Sequence, residues 1–417
     1  TRFVGDIMNS EYLRKVYPIL ATKVTGHQIV YFDNAATTQR PLPVVNAVLD
    51  YVTHDNGNPH RGAHIFAISA SEAYDTSKEV VRKFINAKSA SEIIYTRNTT
   101  ESLNLVARSY GETHLHKGDH ILITIAEHHS NLVTWQRVAE KTGAVLDYIY
   151  VDKKTGHFPE EELKKIDDPR VKILAFAEVS NVLGIDFDPK PLIQRAHAHG
   201  AVVVLDGAQS TPHKRVDVQD LDCDFFAFSG HKMCSMGGIG VLYGKEELLN
   251  DMEPFLMGGD MIDEVQEQKT TFADLPAKFE AGTQYVEGAV SLVAAIKYVE
   301  SVGYDEIRAQ ERRLVTRCLE GMKKLPFIHI IGPTNPEEKE GLVAFEVEGV
   351  HPHDVAQILS AKGICIRTGH HCAEPLHHYL GINASCRASF YFYNTVDEVD
   401  YFLKELKDVR KVMGYDD

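Results

Sequence analysis

Ala201-Val-Val-Val-Leu-Asp-Gly-Ala-Gln209 and Phe225-Phe-Ala-Phe-Ser-Gly-His-Lys232 are the most informative stretches of the sequence. Each begins with an apolar run typical of a buried strand and ends in polar residues. The first stretch brings the carboxylate of Asp206 to the end of one strand. The second brings the amine of Lys232 to the end of the next. A lysine after a buried strand is ordinarily exposed to solvent, so the preceding Asp206 is what makes Lys232 informative.

An amine and an acid at successive strand ends meet the needs of pyridoxal phosphate (PLP). This cofactor takes an amine for a Schiff base, an acid that keeps its pyridine nitrogen protonated, and polar groups around its phosphate. Lys232 and Asp206 supply the first two, and Ser229 and His231 lie beside the lysine in the chain. The two stretches therefore predict a PLP site.

The composition is ordinary for a globular protein and argues against several classes of partner. The chain has 417 residues, enough for two domains, with a formal net charge of −15. This charge argues against a nucleic-acid partner, and no apolar stretch is long enough to cross a membrane. The first residues show no signal peptide. Six cysteines without a CxxC pair indicate reduced thiols in a cytoplasmic protein and no structural zinc site.

The order of predicted elements indicates an α/β protein with two domains. From residue 92 to 245, short β-branched runs alternate with amphipathic stretches, which predicts a mostly parallel sheet with helices on both faces. Ligands of such sheets bind beyond the carboxyl ends of the strands. After a long helical stretch at 288–325, strands and helices of a smaller α+β domain follow. We expect a large cofactor-binding domain at 31–287 and a small domain made of 1–30 and 288–417.

Two further segments suit the cofactor hypothesis. Thr99 and Thr100 begin a predicted helix, where they could cap it or hold a phosphate on the free N–H groups. The cofactor hypothesis favours the phosphate. His128 follows a predicted strand, and its ring could stack on a pyridine ring and assist proton transfer. It could equally be an ordinary surface histidine.

The run Arg367-Thr-Gly-His-His-Cys372-Ala-Glu-Pro-Leu-His-His378 places one cysteine among four histidines. A metal cluster is conceivable, because both residue types bind zinc. Adjacent histidines on a strand point to opposite faces, however, so at most some of them could converge. Nearby imidazolium or arginine would enrich the thiolate of Cys372. We therefore favour a reactive thiol over a metal site, and expect no metal.

With these segments in hand, the chain resembles the SufS-type (group II) cysteine desulfurases, which are class V, fold-type I PLP enzymes. The resemblance covers nearly the whole chain. Its motifs include Tyr31-Phe-Asp-Asn-Ala-Ala-Thr-Thr38, His60-Arg-Gly62, Glu127-His-His129, Asp206-Gly-Ala-Gln209, Ser229-Gly-His-Lys232, Phe279-Glu-Ala-Gly-Thr283, Arg367 to Cys372 and Cys386-Arg-Ala-Ser389. It implies an aspartate-aminotransferase-like large domain, and a small domain that carries the cysteine loop.

The resemblance also implies a role for each site residue. Lys232 links to the cofactor and moves the substrate α-proton, and Cys372 attacks the substrate sulfur. His128 stacks on the ring, Asp206 pairs with its nitrogen, and Gln209 contacts its phenolic oxygen. The remaining residues hold the phosphate (Thr99, Thr100, Ser229, His231 and Thr283, the last from the second subunit of a homodimer) or the substrate (Asn181, Arg387, Arg367 and His60).

The implied reaction converts L-cysteine to L-alanine and leaves a persulfide on Cys372. The sulfur would pass to a SufE-like or SufU-like acceptor for iron–sulfur cluster assembly. Selenocysteine lyase is the alternative enzyme, because it shares the fold and the lysine, aspartate and cysteine. A desulfurase-like scaffold that mainly binds partners is the alternative from another class.

One segment departs from the family pattern. After Lys232 the family usually continues with a Gly-Pro-Thr-Gly-like loop, whereas this chain reads Met233-Cys-Ser-Met-Gly-Gly238. The change calls the rigidity of this loop into question. Cys234 is either a second thiol near the site or, as we favour, a small buried side chain.

Overall fold

The computed structural model describes residues 10–415, and its strands form two main sheets and three small pairings. The strands are β1 Lys23–Val24, β2 His27–Gln28, β3 Val30–Tyr31, β4 Ile93–Thr96, β5 His120–Thr124, β6 Val145–Ile149, β7 Val171–Ala177, β8 Val202–Asp206, β9 Phe225–Ser229, β10 Gly240–Gly244, β11 Ile262–Val265, β12 Thr270–Phe272, β13 Ile328–Ile331, β14 Leu342–Val347, β15 Ile364–Cys365, β16 Arg367–Gly369 and β17 Ser385–Ser389.

The helices lie between these strands and on the faces of the two sheets. They are α1 Ser10–Val16, α2 Leu42–His54, α3 Ile65–Phe84, α4 Thr99–Val106, α5 Glu112–His114, α6 Val133–Thr142, α7 Glu160–Leu163, α8 Pro189–Ala198, α9 Val218–Leu221, α10 Glu246–Asp251, α11 Val286–Val302, α12 Tyr304–Met322, α13 Pro352–Ser360, α14 Glu374–Leu380, α15 Val396–Lys407 and α16 Val409–Val412. Short 3-10 turns at His129–Asn131 and Gly230–Lys232 follow two strands of the large sheet.

The large sheet has seven strands in the order β4-β10-β9-β8-β7-β5-β6. The strands from β9 to β6 run parallel, whereas β10 is antiparallel to both of its neighbours, β4 and β9. In register, Ala177 at the end of β7 lies beside Asp206 at the end of β8. The carboxyl ends of three adjacent strands (β7, β8 and β9) therefore open onto the same edge of the sheet, where ligands of such sheets bind.

Helices cover both faces of the large sheet, which explains the continuous apolar strands. On one face, Trp135 and Leu103 of helices α6 and α4 pack with strand residues such as Ile123. On the other, Ile193 of α8 and Leu292 of α11 join a second buried cluster. The sheet is thus a rigid support for the loops at its carboxyl edge.

The smaller sheet is antiparallel, with the order β13-β14-β17-β16. Phe345 of β14 packs with Phe402 of α15 and Leu314 of α12 in its own buried cluster. Strand β3, near the start of the chain, pairs in parallel with β15. Strands β16 and β17 bring Arg367 and Arg387 into register beside each other.

The predicted fold class is confirmed, since the chain is an α/β protein with a mostly parallel seven-stranded sheet and smaller additional sheets. The long helical stretch predicted at 288–325 is two helices, because α11 ends at Val302 and Gly303, with a φ of +87°, separates it from α12. The predicted division at 287/288 falls within α11, and it stays a prediction. Residues 1–9 of the predicted small domain lie outside the described residues. Within residues 10–415, no helix is long and apolar enough to cross a membrane.

Candidate active site

A cavity of about 480 Å³ opens at the carboxyl edge of the large sheet and reaches the smaller sheet. It brings together twelve of the residues that the sequence predicted for the site. These are Thr99, Thr100, His128, Asn181, Asp206, Gln209, Ser229, His231, Lys232, Arg367, Cys372 and Arg387. The cavity is thus built from the ends of parallel strands on one side and from β16, β17 and the cysteine loop on the other.

Lys232 and Asp206 supply an amine and a carboxylate to the cavity floor. Lys232 lies in the 3-10 turn after β9, and burial lowers its pKa to about 8, although Asp206 opposes the shift. Burial likewise raises the pKa of Asp206, whose Oδ1 accepts a hydrogen bond from the Ala208 amide at 2.9 Å. The amine is therefore much easier to deprotonate than a lysine in water.

The start of helix α4 forms a polar cradle beside this pair. The Ser229 hydroxyl accepts a hydrogen bond from the Thr99 amide at 2.8 Å and lies 2.6 Å from the Thr99 hydroxyl. Asn98 caps the helix by accepting from the Glu101 amide. A Cβ at Gly240 would lie only 2.6 Å from the Asn98 backbone, so only glycine lets β10 approach the helix start this closely. The positive end of the helix thus faces the cavity, as an anion site requires.

His128 and Gln209 border the cavity from opposite loops. The Nδ1 of His128 accepts from the Ser130 amide at 3.1 Å, and burial lowers its pKa to about 3. The ring is therefore neutral at physiological pH and can stack on a flat group. The Gln209 amide donates to the carbonyl of Ala35 at 2.8 Å, so Gln209 is held against the segment that follows β3.

Two arginines from the smaller sheet converge on Asp33. Arg367 makes a bidentate pair with this carboxylate, with Nη2 to Oδ2 at 2.8 Å. Arg387 is only 2% exposed and lies 3.8 Å from the same carboxylate. Its Nη1 donates to the carbonyl of Asn181 at 2.9 Å, whereas its Nε has no partner among the described residues. A buried guanidinium with an unused donor is suited to bind a carboxylate.

Cys372 is exposed and lies in a strained loop at the mouth of the cavity. His371 and Cys372 both have positive φ angles, +52° and +56°, which are unusual for two consecutive residues other than glycine. The His129 amide donates to the Cys372 carbonyl at 2.7 Å, and Asn181 donates to the His371 carbonyl at 2.7 Å. The backbone is thus held on both sides while the thiol stays accessible.

Two predicted site residues, His60 and Thr283, do not line this cavity. His60 is exposed and hydrogen-bonded to Asp75, while Thr283 is exposed beside Leu256 and Tyr285. Gln284 borders both the cleft around His60 and the cleft around Thr283. The two residues therefore lie on one outer face of the molecule.

Asp33 and His371 also belong to the site, although neither was predicted from the sequence. Asp33 was visible within the Tyr31–Thr38 motif, but its arginine partners lie more than 330 residues away in the chain. His371 points inwards to the Ser385 hydroxyl at 2.9 Å, and burial lowers its pKa to about 2. The alternation of His370 and His371 was the only sign that one of them would be buried.

The unusual segment after Lys232 is held by hydrogen bonds. Cys234 is fully buried, its amide donates to the Thr38 hydroxyl at 2.8 Å, and burial raises its thiol pKa to about 12. The carbonyl of Ser235 accepts from Arg40, and the Ser235 hydroxyl lies 2.8 Å from that of Ser291. Cys234 is therefore a small buried side chain, as we favoured, and its high pKa makes it a poor nucleophile.

The donor set fits PLP. A deprotonatable amine, a buried carboxylate, hydroxyls at a helix start and a neutral imidazole line one cavity. These are the groups that bind an aldehyde, a pyridine nitrogen, a phosphate and an aromatic face. The Arg387 Nε, which has no partner in the part of the chain that the structure describes, adds a place for a substrate carboxylate.

The chain belongs to the aminotransferase class-V family, whose profile matches residues 30–402. A probable cysteine desulfurase from Halalkalibacterium halodurans is 46% identical over 98% of this chain and 100% of its own length. A probable cysteine desulfurase from Staphylococcus aureus is 44% identical over 96% of this chain and 97% of its own length. The fold matches an apo cysteine desulfurase from Thermococcus onnurineus (TM-score 0.91, 41% identity, 96% of this chain and 98% of that one). The fold also matches a cysteine desulfurase from Escherichia coli (TM-score 0.87, 37% identity, 97% of this chain and 99% of that one).

These findings confirm the family and the enzyme class that the sequence resemblance implied. PLP is the cofactor of this class of enzyme, and the residues of the cavity fit it. The roles of the individual residues stay predictions.

Proposed function

We propose that the protein is a PLP-dependent cysteine desulfurase of the SufS type. The observation that carries the proposal is the exposed thiol of Cys372 at the mouth of the cavity that also contains Lys232 and Arg387. An aminotransferase needs the amine and the arginine but no thiol. A cavity that combines all three is suited to remove sulfur from an amino acid and retain it on the enzyme.

Substrate binding relies on the side of the cavity formed by the smaller sheet. The Arg387 guanidinium has a buried Nε–H with no partner within residues 10–415, and this donor can bind the carboxylate of L-cysteine. Asp33 and the Asn181 carbonyl hold this guanidinium in place. The substrate side chain would then extend towards Cys372.

The Lys232 amine transfers the substrate α-proton. When bound, PLP supplies an electron sink for the charge that develops at the substrate carbons. With a pKa near 8, the Lys232 amine is partly neutral at physiological pH, so it can accept the α-proton and return it. His128 stays neutral beside it, which leaves the cationic charge of the site on Lys232 and the arginines.

Cys372 takes the sulfur. Its thiolate forms an S–S bond with the substrate sulfur while the substrate Cβ–S bond breaks, and the electron pair of that bond stays with the carbon skeleton, which takes up a proton. The balanced result is L-cysteine plus Cys372–SH giving L-alanine plus Cys372–S–SH. No outside oxidant is needed at this step or the next, because an acceptor thiol takes the terminal sulfur as its own persulfide and returns Cys372 to a thiol.

The proposed assembly is a homodimer in which Thr283 serves the cofactor phosphate of the partner subunit. Thr283 lies outside the cavity of its own chain, on a face that also exposes large apolar side chains. Ile65, Phe66 and Ile68 at the start of α3 are 49–70% exposed. Apolar side chains so close together commonly mark an interface.

We further propose that the persulfide supplies iron–sulfur cluster assembly in the cytoplasm through a SufE-like or SufU-like acceptor. The exposed position of Cys372 supports transfer to another protein, because a second thiol can reach it from solvent.

Alanine release from L-cysteine by the PLP-loaded protein, in the presence of a thiol reductant, tests the function. Wild type is expected to release alanine, and Cys372→Ala is expected to release none. Cys365→Ala is the matched control, because Cys365 is the other cysteine with partial exposure among those the structure describes. It should release alanine at the wild-type rate.

Other outcomes would favour the alternatives. Alanine from L-selenocysteine but not from L-cysteine, retained in Cys372→Ala, would indicate a selenocysteine lyase, since selenium can leave without the thiol. No turnover of either substrate, even with an acceptor thiol protein, would favour the alternative in which the protein is a partner-binding scaffold.

A further inference from the structure

Beside the cysteine loop, His370, Glu374 and His378 form a cluster on the outer surface. One ligand atom from each residue lies within 4.8 Å of the other two. Glu374 and His378 are exposed, and His370 is partly buried. We propose that these three residues form a binding site for a divalent transition metal of the zinc class, independent of the proposed desulfurase activity. A metal site at these residues differs from the sequence-based expectation of no metal.

Helix α14 places two of the ligands. Glu374 and His378 are four residues apart, so their side chains lie on the same face of the helix. The His378 Nε2 is 3.6 Å from the Glu374 Oε1, a distance that an ion between them would span. The Glu374 amide donates to the His129 Nε2 at 3.1 Å, which fixes the first turn of the helix against the large sheet.

A hydrogen bond orients the third ligand. The Nε2 of His370 lies 2.7 Å from the carbonyl oxygen of Asn383, which can only accept a hydrogen bond. In the neutral ring, Nε2 therefore carries the proton and Nδ1 keeps the free lone pair. Metal-binding histidines are commonly held by such a bond from the other ring nitrogen. The neighbouring His371 points the other way, to Ser385.

Two imidazoles and one carboxylate are a ligand set typical of zinc sites with an open coordination position. The three ligands also lie on both sides of Cys372, two residues before it and two and six residues after it. A bound ion would therefore tie the start of the cysteine loop to helix α14. We expect metal binding to restrain the loop that carries the thiol.

Calorimetric titration of the PLP-loaded, tag-free protein with Zn²⁺ tests the proposal, with Co²⁺ absorption as a second reading of the coordination. Wild type is expected to bind one ion. His378→Ala and Glu374→Gln should each weaken binding by at least about tenfold. His54→Ala is the matched control, because His54 is also an exposed histidine four residues from a carboxylate (Asp50), and it should bind as wild type does.

Hydrogen exchange of the peptide that covers residues 368–382 gives a reading of the loop itself. Zn²⁺ should slow its exchange in wild type and not in His378→Ala. Cys372→Ser should still bind the ion. Loss of binding in Cys372→Ser with unchanged binding in His378→Ala would show that the thiol alone holds the metal and would overturn the proposal. Equal binding in wild type, Glu374→Gln and His378→Ala would do the same.

Discussion

At the scale of single residues, burial determines the charge of the histidines around the cavity. The pKa is lowered to about 3 in His128, about 4 in His231 and about 2 in His371, with burial as the first cause in each. Lys232 or Arg387 nearby lowers these pKa values further. The rings are thus neutral at physiological pH, and the cations of the site are its lysine and arginines.

The buried His371 should make stability depend on pH. Its pKa is lowered from 6.5 to about 2 in the folded state, so only the unfolded state takes up a proton when the pH falls below 6.5. Stability therefore falls with decreasing pH, by about 1.5 kcal/mol between pH 6.5 and pH 5 for this one residue. Denaturant unfolding of His371→Gln should show a pH dependence weaker by this amount than wild type.

An identical slope in wild type and His371→Gln would contradict the assignment of a buried neutral ring.

Arg387 should contribute most to recognition of the substrate carboxylate. Removing a charge-assisted hydrogen bond costs about 1.5–3 kcal/mol, so Arg387→Gln should lower kcat/KM for L-cysteine by about 10- to 100-fold. Steady-state alanine release measures this loss. The amount of bound PLP should not change, because Lys232 and Ser229, which we propose hold the cofactor, belong to the large sheet and the turn after it. A lost cofactor spectrum would instead place Arg387 in cofactor binding.

At the scale of elements, the start of α4 depends on the close approach of β10. In Gly240→Ala the new methyl group would lie 2.6 Å from the Asn98 backbone, so the helix start must shift. We expect a loss of stability of about 1–3 kcal/mol and at least tenfold weaker PLP binding. Thermal unfolding and spectral titration with PLP measure the two effects.

Gly237→Ala is the matched control, since no atom of the described residues, apart from its chain neighbours, lies within 4 Å of the added Cβ. It should unfold and bind PLP as wild type does. Equal PLP affinity in the two variants would show that the cradle does not depend on this packing.

Elements with strong local signals could be predicted from the sequence. Strands β8 and β9 coincide with the apolar runs of the two stretches 201–209 and 225–232, because each run ends in clearly polar residues. The break at Gly303 was missed, since the apolar pattern continues across it. The Asp33–Arg367 pair could not be predicted, because it forms only when β3 and the smaller sheet come together. Local patterns thus located the strand ends, while the pairing of distant side chains required the fold.

At the scale of the whole molecule, one outer face stands out. Around His60 and Thr283, large apolar side chains are exposed, including Ile65 (70%) and Met257 (65%). The ion pair of Arg61 and Asp260 at 2.8 Å joins the loop before α3 to the loop before β11. These segments therefore form one continuous surface. It carries His60 and Thr283, the two predicted site residues that do not line the cavity of their own chain.

A charge on this face should prevent dimerisation. In the double variant Phe66→Glu and Ile68→Glu, two carboxylates would be buried without partners, which costs several kcal/mol. Light scattering should then give a mass near 46.7 kDa, that of one chain, while wild type gives twice that value. Alanine release should fall as well, because Thr283 could no longer reach the partner's cofactor. Val412→Glu is the control, because Val412 on helix α16 is also an exposed apolar residue (65%). This variant should remain dimeric and active. A dimeric, fully active double variant would place the interface elsewhere and separate Thr283 from the cofactor.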